Sequence, residues 1–86
     1  MGYRTLFVSR EHRYALERDD VAGEAVLSIP VSNRLTDYEE YYRISEEELE
    51  GFMADPEAAR AFAQSCGRRE RDDRLVLKPG SDRGVY

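Results

Sequence analysis

Apolar and polar residues alternate through the first half of the chain and recur at three- to four-residue spacing in the second, so the sequence carries two periods. The two-residue period predicts strands over 3–8, over 13–17 with Tyr14 and Leu16 on one face, and over 25–31 with Ala25, Leu27, Ile29 and Val31 in line. Asp19-Asp20 and Gly23 supply turn chemistry between the second and third, which makes that pair a hairpin. Pro30 has no N–H to give a ladder and so predicts that the third strand ends there or lies at an edge. After a turn at Ser32-Asn33-Arg34 the alternation resumes over 38–44, with Tyr38, Glu40, Tyr42 and Ile44 on one face and Glu39, Tyr41 and Arg43 on the other.

The period then changes. Ser45 followed three residues later by Glu48 is a capping box, in which each side chain satisfies an N–H left open at a helix start. Leu49, Phe52 and Met53 give the helix that follows one apolar stripe, and Gly51 keeps it marginal. Asp55-Pro56 starts a second helix running to Cys66, with Ala58, Ala59, Phe62, Ala63 and Cys66 on a small, flat face suited to packing on a sheet. Gly67 is placed to end it as a left-handed residue. A charged run follows, then a short strand over 75–78, a Pro79-Gly80 turn and a tail, 79–86, expected to be loose. The predicted fold is α+β: one domain over 1–86, with a small antiparallel sheet of four to five strands packed against two consecutive helices in the C-terminal half.

With 86 residues, only one core can form, and 41% hydrophobic against 36% charged residues places the chain among folded domains rather than disordered ones. Small cores need support, and Cys66, alone, offers no disulfide within the chain. His12 is the one histidine, so a tetrahedral zinc site would need two carboxylates; neither a metal nor a cofactor is expected. A second copy of the chain is the support that remains. The apolar run Leu6, Phe7, Val8 is too short for a signal peptide, and nothing approaches the length of a membrane span, so the expected address is the cytoplasm with no membrane partner. Arginine makes up all the basic residues but Lys78, a bias that suggests a GC-rich bacterial genome.

Charge divides the chain unevenly. Residues 19–55 carry only Arg34 and Arg43 against eleven carboxylates, whereas both flanking stretches have a small basic excess. Tyr38, Tyr41 and Tyr42 fall inside the acidic stretch. Tyrosine gives rigid amphipathic contact area, and acidic neighbours favour a basic partner, so Asp37, Tyr38, Glu39, Tyr41 and Arg43 are the expected partner-binding residues. If Tyr38 and Tyr42 fill the core with Ile44, Tyr41 is the one of the three left free. Arg68, Arg69, Arg71 and Arg74 are interleaved with Glu70, Asp72 and Asp73, which cancels most of their field and argues against nucleic acid.

Enzyme motifs are missing: the chain has no glycine-rich phosphate loop and no Gly-x-Ser-x-Gly elbow, and paired carboxylates such as Glu39-Glu40 point to opposite faces of a strand. The expected function is thus a non-enzymatic protein-interaction module binding a basic protein or a second copy of itself, analogous to small acidic immunity or inhibitor proteins. The alternative is a small-molecule-binding protein or minor enzyme with a pocket between sheet and helices lined by His12, Tyr42 and Arg83. The stretches Ser28-Ile-Pro-Val-Ser-Asn-Arg-Leu, Asp37-Tyr-Glu-Glu-Tyr-Tyr and Lys78-Pro-Gly-Ser-Asp-Arg-Gly resemble those of short uncharacterised bacterial proteins. The resemblance implies neither an activity nor any site residue.

Overall fold

The alternating half of the chain folds into four strands. A computed structural model describes residues 2–86, with β1 (Tyr3–Ser9), β2 (Tyr14–Asp19), β3 (Ala25–Ser32) and β4 (Asp37–Arg43) forming one antiparallel sheet in sequence order. Between β2 and β3, Asp19 accepts the N–H groups of Val21 and Ala22, and Gly23 takes the positive φ of 75° that the turn requires. Asn33 fastens the β3–β4 turn in the same manner, through Leu35 and Thr36. The β1–β2 ladder slips between Thr5 and Phe7, where a bulge interrupts the outer strand.

The helical half lies on one face. In α1 (Glu46–Ala54) both bonds of the Ser45/Glu48 capping box are formed, and Asp55 closes α1 while capping α2 (Pro56–Gly67). Arg18 adds a two-pronged bond to Glu46, at 2.8 and 2.9 Å, that holds the start of α1 against the end of β2. Leu16, Leu27, Ile29, Val31 and Tyr42 from the sheet pack with Leu49, Ala59, Phe62, Ala63 and Cys66 from the helices in one buried cluster. This is the α+β layout that the two periods predict.

Four local readings change. Pro30 is inside β3, which runs on to Ser32 in the middle of the sheet. The proline is tolerated because β2 pairs with β3 only as far as Ser28; beyond it Ser32 bonds to Val85 on that flank, and by alternation the missing N–H of Pro30 falls in the gap between. Met53 is half exposed, so Leu49 and Phe52 alone carry the inner stripe of α1. Gly67 is the last residue of α2 and has no positive φ; that role falls to Arg69, at 65°. The reason for glycine at 67 is room, because a Cβ there would stand 2.1 Å from the ring of Tyr86.

The fourth change concerns the C-terminal segment. Residues 75–78 make a single bridge, Leu75 with Tyr42, and no strand; a turn of 3-10 helix, Asp72–Arg74, precedes them. From there the chain crosses the end of the sheet to its other flank. Val85 exchanges both backbone bonds with Ser32, at 2.8 and 2.9 Å, and the Tyr86 hydroxyl donates to the carbonyls of His12 and Arg13. The end of the segment that reads as loose is therefore fastened at 83–86.

Candidate functional site

Residues opposite one another on neighbouring antiparallel strands share a face, so the register divides the sheet. One face carries Phe7, Leu16, Leu27 and Tyr42 in a row, with Ile29 beside Glu40 and Val31 beside Tyr38, and the helices cover it. The other carries Thr5, Glu17, Val26 and Arg43 in one row and Val8, Ala15, Ser28 and Tyr41 in the next. Pro30 with Glu39 and Ser32 with Asp37 complete it. Among the described residues neither α-helix lies on this second face.

Even so, its centre is closed. Val26 and Ser28 are 1% exposed and Glu17 is 8% exposed, although Val26 has no place in the main hydrophobic cluster. Their cover is a pair of tyrosines from opposite sides of the sheet: Tyr3 on β1 and Tyr41 on β4 stack with centroids 4.3 Å apart and planes 10° from parallel. The line between them passes diagonally over Glu17 and Val26. Thr5 donates to Glu17 Oε2 at 2.9 Å, and Tyr41 donates to Glu39 at 2.9 Å. Burial, then the bond to Glu39, and then the charges of Glu39 and Glu17 push the Tyr41 phenol well above its ordinary value. Burial and the charge of Asp19 raise Tyr3, with Glu17 adding to the effect. Both rings therefore stay neutral hydroxyls at physiological pH.

Two buried polar atoms under this cover have no hydrogen-bond partner among the described residues, Glu17 Oε1 and Ser28 Oγ. The Tyr14 hydroxyl is a third orphan, close to Phe7, whose ring lies 6.1 Å away. A shallow groove of about 260 Å³ is lined by Ala15, Ser28 and Pro30 together with Val8, Arg10, Arg13 and Glu39.

The structure places Asp37, Glu39, Tyr41 and Arg43 on this open face together and turns Tyr38 to the helix face, where its hydroxyl accepts the N–H of Gly84. Asp37 accepts from Ser32, and Arg43 reaches Glu24 at 3.5 Å and the Leu75 carbonyl at 3.1 Å. Tyr3, Glu17 and Ser28 join them although sequence reasoning passed them over. Alternation alone assigns each to a face; what it does not reveal is which faces of β1 and β4 coincide.

His12, Tyr42 and Arg83 do not form one pocket. Tyr42 is fully buried and donates to Glu40 at 2.7 Å; Arg83, 11% exposed, bonds Glu40 at 2.7 and 3.2 Å and Asp72 at 2.8 Å twice. These groups satisfy one another at the end of the sheet. His12 lies in the β1–β2 turn, on a cleft of about 460 Å³ shared with Arg60, Gln64 and Tyr86. The arginines after α2 are committed to the fold as well: Arg74 to Glu48, Arg68 to Glu70, Arg71 to Ser65, with Arg71 and Arg74 both over the Phe62 ring. Cys66 is fully buried, and burial pushes its thiol up to about 12. Among the described residues no group of three or more His, Cys, Asp and Glu is arranged to hold a metal ion, and no helix is long and apolar enough to cross a membrane. No protein-family model matches the chain, and no curated protein or solved structure does.

Proposed function

We propose that this protein is an interaction module that receives a basic protein partner on the open face of its sheet. The observation that carries the reading is the register of β4, which sets Asp37, Glu39 and Tyr41 side by side on the face the helices leave free. Tyrosine offers contact area there at low conformational cost, and the carboxylates steer a cationic surface toward it. The half-buried Tyr41 ring, stacked on Tyr3, is a preformed flat anchor of the kind that dominates binding energy at interfaces. Catalysis has less support, since Glu40 and Arg83 are paired with each other and the Cys66 thiol is enclosed with its ionisation pushed up by burial.

Binding of basic peptides measured by calorimetry tests the reading. Affinity is expected to fall as salt rises from about 0.05 to 0.5 M, because screening shortens the reach of exposed carboxylates. It is also expected to fall at least tenfold in the double variant Tyr41→Ala, Glu39→Ala. Binding indifferent to both changes refutes the assignment.

A further inference from the structure

Glu17 poses a problem of electrostatics. It is 92% buried, counting from its 8% exposure, and none of the ion pairs among the described residues includes it. One oxygen accepts from Thr5, and the other has no partner. A carboxylate taken out of water is stable when a cation or several donors meet it, and among the described residues one donor does. Ser28 Oγ, diagonal to Glu17 on the neighbouring strand, is buried and unpartnered too. Directly above are two tyrosine faces held within 10° of parallel.

From this arrangement we infer that Tyr3, Tyr41, Glu17 and Ser28 form a receptor for a guanidinium group, the side chain of an arginine on the basic partner. The inference rests on the interaction reading above and names the group that is recognised. A guanidinium is flat, weakly hydrated and rich in donors. It stacks on aromatic faces and can give one N–H to Glu17 Oε1 and another to Ser28 Oγ. It enters by parting the two rings, from 4.3 Å to about 7 Å, twice an ordinary stacking distance. The groove lined by Ala15, Ser28 and Pro30 adjoins the Ser28 acceptor and takes the aliphatic stem. A lysine ammonium, compact and strongly hydrated, matches neither the slot between the rings nor the two acceptors.

The test compares a hexa-arginine with a hexa-lysine peptide against the intact protein, by calorimetry and by the amide and side-chain NMR signals of Tyr3, Glu17, Ser28 and Tyr41. The arginine peptide is expected to bind at least tenfold more tightly and to shift all four residues. Glu17→Gln and Tyr3→Leu are each expected to abolish that preference while leaving salt-dependent binding of both peptides. Without peptide, Glu17→Gln is expected to raise the urea midpoint, since it removes an unpaired buried charge. Equal affinity for the two peptides, or a preference that survives both substitutions, overturns the receptor and leaves the interaction reading standing. If neither peptide binds, the receptor and the interaction reading both fall. Should Tyr3→Leu not fold, the preference of the unaltered chain and the Glu17 carboxyl signal decide alone.

Discussion

Replacing Arg83 by alanine is the most severe test of how the C-terminal segment holds the sheet. The guanidinium makes four short bonds, two to Glu40 and two to Asp72, and is itself 11% exposed. Asp72 is 42% exposed, so its share resembles that of a surface pair, below about 1 kcal/mol. Glu40 is different. At 8% exposure it keeps only the Tyr42 hydroxyl once the arginine is gone, and stranding one member of a buried pair costs about 3–5 kcal/mol. The expected loss is therefore about 3–4 kcal/mol, a large part of the stability of a small domain. Urea unfolding followed by far-ultraviolet circular dichroism should show it as a midpoint lower by about 2–3 M, and heating as a Tm lower by roughly 12–30 °C. Adding Glu40→Gln removes the stranded charge and should recover part of the loss. A cost below about 1 kcal/mol for Arg83→Ala, or no recovery in the double variant, refutes the argument.

Acid should reveal the Asp72 end of the same contact. Hydrogen bonding to Arg83 holds the Asp72 carboxyl below its ordinary value of 3.8, so its contribution is complete above about pH 4 and disappears as pH falls through the depressed folded value. The gap in urea midpoint between the natural chain and Asp72→Asn should accordingly narrow as pH falls below about 4, and a gap independent of pH contradicts this. Cys66, with its thiol raised from 9.0 to about 12, should alkylate with iodoacetamide at pH 8 roughly a thousandfold more slowly in the folded protein than in urea; similar rates would mean that the thiol is not enclosed. Ser45→Ala breaks the capping box and should cost about 1 kcal/mol, with faster amide exchange at the first turn of α1. Unchanged exchange there would show that tertiary contacts, and not the cap, hold that turn.

The parts of the fold written in local chemistry were legible. Alternation located all four strands, Ser45 with Glu48 opened α1, and Asp55-Pro56 opened α2, because each of these signals acts within a few residues. Illegible were contacts whose partners lie far apart in the chain. Nothing near Arg83 announces a buried partner 43 residues earlier, and Gly67 carries the mark of a helix end while its actual constraint is the ring of Tyr86. Pro30 misled for a related reason, since the ladder it cannot join had already stopped on that flank. For the candidate site, Asp37, Glu39, Tyr41 and Arg43 could be grouped from β4 alone. Tyr3 and Glu17 could not, because their meeting with Tyr41 depends on the order of the strands across the sheet.

The slip between Thr5 and Phe7 bears on how copies of this protein behave when concentrated. β1 is the outermost strand of the sheet; Phe7 and Val8 are 41% and 53% exposed, and its seven residues contain no proline. A straight edge of that kind templates another strand along its whole length and seeds fibres. With one extra residue at its middle, an incoming strand that matches the backbone on one side of Leu6 falls out of step on the other. Sheet-to-sheet growth through this edge is thereby limited to short, weak encounters.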